Sequence, residues 1–286
     1  MARKIKITCD STCDLSEELL SRYDISVCPL SVVMGDKAYR DGIDAKPDDI
    51  YAYYAETGKL AKSAAVNIPE YEDFFNEHKE DDTDIIHFCI SSEMSTTYNN
   101  ARLAAASVGN VYVIDSANLS TGSGLLALKA CDMREQGMST NDIVAAIEEL
   151  KPKVDASFVI DSLLYLYKGG RCSGVAALGA NLLKLKPCIE VKNGAMGVGK
   201  KYRGKFEAVL KDYAAERLDD ADNIDMHRVF ITHAGCDEKI VNEVAELVKK
   251  TMPFEEVLVT RAGCTVSTHC GRNTLGVLFI RKNLIA

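Results

Sequence analysis

Three short polar clusters hold the residues most suited to chemistry: Asp10-Ser11-Thr12, the run from Ser91 through Ser92, Glu93, Met94, Ser95 and Thr96 to Thr97, and Asp115-Ser116. Each directly follows an apolar, β-branched run. Hydroxyls and free N–H groups at the carboxyl ends of parallel strands are where open α/β sheets bind anions. One serine or threonine in such a place caps the next helix. Five hydroxyl residues among the seven of the second cluster exceed what one cap uses. The surplus suits a carboxylate or a phosphate.

Further along, Lys168-Gly169-Gly170-Arg171 puts a cation on a flexible turn. It serves either anion binding or the closing of a helix C-terminus. Ser267-Thr268-His269-Cys270-Gly271 reads as a loop before the last strand, so His269 is expected to be exposed and able to donate to an anion at neutral pH. Ser63 reads as a turn residue before the helix opened by Pro69. Ser, His and Asp together invite a hydrolase triad, but Gly-x-Ser-x-Gly is absent. A Cys270 nucleophile beside His269 is weaker still, because catalytic Cys and His come from distant segments. Gly197 and Gly199 follow a hairpin rather than the first strand of a βαβ unit, which argues against a dinucleotide fingerprint. Cys9 and Cys13 form at most half a metal site. The ten cysteines stand singly in apolar runs and read as reduced core residues.

The elements that must position these residues alternate. Residues 5–8, 25–33, 84–90 and 111–115 read as strands. Asp14-x-x-Glu17, Pro47, Pro69 and Ser139 read as helix starts, and 97–106 as an Ala-rich helix. The expectation is a doubly wound, three-layer α/β/α N-terminal domain with a parallel sheet over residues 1–154. Beyond it, strands at 157–161, 186–192, 228–233, 255–260 and 276–281 alternate with helices at 204–217 and 238–250. The Asn193-Gly194 hairpin signal makes this sheet mixed, so a two-layer α/β C-terminal domain is expected over 155–286. The apolar stripes at 125–130 and 175–185 are candidates for lining an apolar tunnel, with ordinary core packing as the commoner explanation of such stripes.

A chain of 286 residues exceeds the ~250 at which single cores stop growing, which also favours two domains. Its balance of 47% hydrophobic and 27% charged residues is that of a soluble globular protein. A net charge of -8 without a basic stripe argues against nucleic acid as a partner. The start turns polar by Cys9-Asp10, and no run approaches the ~20 apolar residues of a spanning helix. A cytoplasmic location without stable membrane insertion is expected.

On Asp10-Ser11-Thr12, Ile90-Ser91-Ser92, Ser95-x-Thr97-Tyr98, Asp115-Ser116, Lys168-Gly169-Gly170-Arg171, Arg203-Gly204, Thr268-His269 with Gly271, and Thr274-x-Gly276, the sequence resembles the DegV-type fatty-acid-binding proteins, nearly end to end. The resemblance implies a long-chain fatty acid such as palmitate, held between two domains and presented to a fatty-acid kinase. It implies a carrier and not a catalyst, with the acid as ligand and no metal or cofactor. By position, Ser63, Ser95 and His269 match the family's head-group residues, with Ser92, Thr96 and Thr97 in support. Arg171 and Arg203 match arginines expected at the domain interface or the kinase-facing surface. The departures lie close by: Ser63-Ala64-Ala65-Val66 replaces Thr-Ser-Gln-Pro, Thr96 replaces a turn glycine, and Gly271-Arg272-Asn273 replaces Gly-Pro-Gly. A positive φ at Thr96 is expected to be strained. Two alternatives stay open. One is a small-molecule hydrolase or phosphotransfer component using Ser95 and His269, since the family's fold resembles that of dihydroxyacetone-kinase substrate domains. The other is a regulatory or interaction protein, marked by a polar cleft without an apolar tunnel.

Overall fold

Capped helices and short apolar strands alternate through the first half of the chain. The computed structural model describes residues 3–172 and 185–284. The elements of this half are β1 (Lys4–Asp10), α1 (Glu17–Arg22), β2 (Ile25–Cys28), β3 (Ser31–Met34), β4 (Lys37–Arg40), α2 (Pro47–Thr57), β5 (Lys62–Ala64), α3 (Ile68–His78), β6 (Thr83–Cys89), α4 (Thr97–Val108), β7 (Val111–Asp115), α5 (Thr121–Glu135) and α6 (Thr140–Leu150). β2, β1, β6 and β7 form a parallel sheet in that order. β6 is buried along its whole length, as a strand covered on both faces must be. Ile85 and Cys89 pack under α3 and α4, while Ile86 and Phe88 face α1, α5 and α6. The three layers follow from that period-two alternation.

Two local expectations are corrected. The run 25–33 is two strands, because Pro29 has no N–H to give a ladder and the chain turns there. β2 stays in the parallel sheet, and β3 joins β4 and β5 in a small antiparallel sheet. The cap of α1 is Ser16, which accepts from Leu19 N, and not Asp14. Asp14 lies in the left-handed region at φ 52° and its carboxylate is engaged elsewhere. Pro47 and Pro69 sit in first turns, and Ser139 caps α6, as expected.

The second half comprises β8 (Val154–Asp155), β9 (Ser157–Ile160), α7 (Leu164–Gly169), β10 (Leu185–Lys192), β11 (Ala195–Arg203), α8 (Phe206–Arg217), β12 (Ile224–Ala234), α9 (Glu238–Thr251), β13 (Glu256–Arg261), α10 (Cys264–Cys270) and β14 (Thr274–Arg281). Its sheet runs β11-β10-β9-β14-β12-β13, with β8 also on β14, and is mixed, β12 and β13 being parallel and the other pairs antiparallel. Asn193 and Gly194 take φ of 51° and 80°, the two positive values of a type I′ hairpin. α8 and α9 cover one face of this sheet. Its other face packs against the first half through Phe158, Ile160, Phe230, Leu278 and Ile280, with α5 buried between. The stripe at 125–130 is therefore core, and 175–185 lies outside the described residues except for Leu185, which opens β10.

Arg228 fixes how the halves sit. It is 4% exposed, yet its guanidinium reaches Asp132 of α5 at 2.5 Å, Glu256 of β13 at 2.5 Å and the Tyr23 hydroxyl at 2.5 Å. A buried charge survives only when paired in this way.

Candidate functional site

The three polar clusters share the carboxyl edge of the parallel sheet, but loops consume most of their hydroxyls. Asp10 accepts from Thr12 N at 2.9 Å, Thr12 Oγ1 at 2.5 Å and Ile90 N at 2.8 Å, which ties β1 to β6. Burial still pushes its carboxyl up to about 6. Ser91 Oγ donates to Gly194 O at 2.7 Å, joining this edge to the β10–β11 turn. Ser92 Oγ donates to Asp115 at 2.5 Å. Ser95 Oγ meets Thr97 Oγ1 at 2.7 Å and accepts from Thr97 N. With Thr97 donating, the Ser95 proton is free to point outward.

Ser63, Ser92, Ser95, Thr96, Arg171 and His269 line one cavity of about 370 Å³. Thr97 is fully buried behind Ser95, and Arg203 is exposed at the end of β11, so neither lines it. Ser63 is on β5, paired with Val32, and not in a loop. Thr96 has φ −77°, an ordinary value, so the replacement of a turn glycine brings no strain. Gly170, at φ 69°, closes α7, while Arg171, whose Nη1 donates to Gly169 O at 2.6 Å, lines the cavity.

His269 is the main correction. It lies on helix α10 and is largely enclosed, not exposed on a loop. Its Nε2 is 2.8 Å from Ser63 Oγ. Burial, with Arg171 nearby, holds its pKa down to about 4, so the ring is neutral at pH 7 and keeps one N–H. Nδ1 is buried without a partner. A Cβ on Gly169 would stand 2.5 Å from it.

The sequence hides α10 because Cys264-Thr265-Val266-Ser267-Thr268-His269-Cys270 contains weak helix formers. The missing stability comes from distant carboxylates. Asp14 accepts from Gly263 N at 2.7 Å, and Asp41 from Cys264 N at 2.7 Å and Thr265 N at 2.9 Å. Burial pushes the Asp14 carboxyl up to about 8 even though it also accepts from Ser120 Oγ.

The apolar wall was also missed by sequence reasoning. Leu30, Ile90, Leu119, Met196, Val266 and Cys270 line the cavity together with the hydroxyl residues. Leu119, Val266 and Cys270 also border a second cavity of about 30 Å³, lined further by Phe158 and Leu278 and by Thr232, His233 and Thr274 of the mixed sheet and its ends. Among the described residues no group of three or more His, Cys, Asp or Glu is arranged for a metal, and no helix is long and apolar enough to cross a membrane.

Comparison with known proteins shows the family and the fold. The family described as "Uncharacterised protein, DegV family" matches residues 4–282, and the chain belongs to it. A DegV domain-containing protein of Clostridium acetobutylicum is 35% identical over 281 residues, spanning 98% of this chain and 99% of its own. The structure of a fatty-acid-binding DegV family protein from Thermus thermophilus is similar with a TM-score of 0.90 at 28% identity, covering 97% of this chain and 99% of that one. A stearic-acid-binding protein from Eubacterium ventriosum has a TM-score of 0.86 at 30% identity, covering 97% and 98%.

Proposed function

We propose that this protein binds one long-chain fatty acid, such as palmitate, and carries it without transforming it. The observation that carries this reading is the cavity of about 370 Å³, whose lining combines Ser63, Ser95 and His269 with Leu30, Ile90, Leu119, Met196 and Val266. Ser63 and Ser95 donate to the carboxylate. His269 donates through Nε2 to Ser63, which leaves the Ser63 proton for the ligand. Ser92, Thr96 and Arg171 support the rim, Thr97 acts by orienting Ser95, and Arg203 belongs to an outer surface for a partner. The chain divides near residue 154, the first domain supplying the Ser63 and Ser95 hydroxyls and the second covering the tail.

Burying the tail contributes about 0.8 kcal/mol per CH2, on the order of 10 kcal/mol before binding costs. The head-group bonds to a charged acceptor add about 1.5 to 3 kcal/mol each, much of it offsetting desolvation. The tail sets affinity and the hydroxyls set orientation. A hydrolase reading fits less well. His269 contacts Ser63 and not Ser95, and its Nδ1 meets no carboxylate to orient the ring.

The partner that this reading names is a cytoplasmic fatty-acid kinase, which takes the acid with its carboxylate at the cavity mouth. Calorimetric titration of delipidated protein with palmitate tests the binding claim. One acid per chain is expected, and absence of heat with palmitate and oleate alike would return the choice to a small-molecule enzyme.

A further inference from the structure

We infer that β13 pairs with β13 of a second copy of this chain, antiparallel and about a two-fold axis at Leu258, so that the mixed sheet continues across two molecules. β13 is one edge of that sheet, six residues long and in unbroken register with β12 from Arg228 against Glu256 to His233 against Arg261. Natural sheet edges are blunted by lysines, prolines or bulges. The opposite edge, β11, carries Lys200 and Lys201, and its pairing with β10 is bulged between Pro187 and Ile189. β13 has none of these devices. Its Val259 is 45% exposed.

The backbone of this edge is open to a partner. Glu255 N donates to Met226 O at 2.9 Å, so by the two-residue period the odd-numbered residues turn to β12. Glu256, Leu258 and Thr260 then turn their N–H and C=O groups outward. Among the described residues no loop, cap or side chain bonds to those groups. An antiparallel strand centred on Leu258 satisfies all of them, Leu258 pairing with its own copy and Glu256 with the second copy's Thr260.

The side chains select this register. Glu255, Val257, Val259 and Arg261 share one face. About Leu258, Glu255 stands opposite the second copy's Arg261 and Val257 opposite its Val259, at the close, non-hydrogen-bonded positions where cross-strand pairs interact most. Moving the centre to Val259 sets Val257 against Arg261, and moving it to Val257 sets Glu255 against Val259. Both charges are accessible, the Glu255 side chain being 71% exposed and that of Arg261 40%. The pair that Arg261 makes with Asp48 lies at the surface, where an ion pair contributes little and is readily exchanged. No residue of β13 lines the cavity of about 370 Å³, so self-association and ligand binding are separable.

The test is sedimentation of the full-length protein over a concentration series, comparing wild type with Val259→Lys, Glu255→Arg, Arg261→Glu and the double variant Glu255→Arg/Arg261→Glu. A contact built on one strand is at the low end of specific interfaces, so a wild-type dimer dissociating in the micromolar range is expected. Val259→Lys and each single reversal should weaken it by about tenfold. The double reversal restores opposite charges across the axis and should return to within about threefold of wild type. A wild type that stays monomeric up to about 1 mM overturns the inference. A dimer indifferent to Val259→Lys also overturns it, by placing the contact on another surface. So does a double variant that dimerises no better than the single reversals, because Glu255 and Arg261 then do not face each other.

Discussion

The Nε2 of His269 lies 2.8 Å from the Oγ of Ser63, across 206 residues of sequence. This contact joins a strand of the small antiparallel sheet to a helix in the second half of the chain, in the lining of the cavity.

Burial that keeps His269 neutral makes its contribution to stability pH-dependent. Its pKa is about 4 in the fold against a usual 6.5. The unfolded chain therefore binds more protons in that window, so stability is present above about 6.5 and is lost as pH falls towards 4. Urea midpoints for wild type and His269→Gln should converge as the pH is lowered from 7 to 4.5. A constant difference would show that the imidazole does not titrate with folding.

Gly169 has no room for a side chain, since a Cβ would stand 2.5 Å from His269 Nδ1. Gly169→Ala should push the ring away from Ser63 and weaken palmitate by about tenfold, with little change in melting temperature. Affinity equal to wild type would mean that the imidazole position is unimportant.

Asp14 has the opposite sign from His269. Its pKa is raised to about 8, so the folded state binds more protons between about 4 and 8 and stability falls as pH rises through that range. Asp14→Asn should remove this slope and gain on wild type towards pH 8 in denaturant melts. Parallel pH profiles for the two proteins would refute it.

Val266 borders both the main cavity and the second, smaller one. Val266→Phe should fill part of both and shift preference towards shorter acids, measured as relative affinity for laurate and palmitate. An unchanged ratio would place the tail elsewhere.

Asp132 pairs with the buried Arg228. Asp132→Ala strands part of that charge and should cost about 3 kcal/mol of unfolding free energy in urea. A loss under about 0.5 kcal/mol, the range of exposed pairs, would show that the latch is solvated.

The sequence was most legible where local signals agree. The β1, β6 and β7 strands, the prolines of α2 and α3, the Ser139 cap and the Asn193-Gly194 hairpin each carry their own cause within a few residues. α10 was illegible because its caps, Asp14 and Asp41, come from more than 200 residues away. His269 went with it, expected on an exposed loop. Ser63 was misplaced for a related reason, since a three-residue edge strand has no period to read and is defined only by its partner β3. The apolar wall is drawn singly from separate elements, so no stripe marks it.

The most direct test of the central claim is mass spectrometry of an organic extract of the natively purified protein, wild type beside Ser95→Ala. The account predicts about one long-chain fatty acid per wild-type chain and clearly less on the folded variant. Wild-type protein that carries no acyl chain, even after incubation with palmitate, would contradict it.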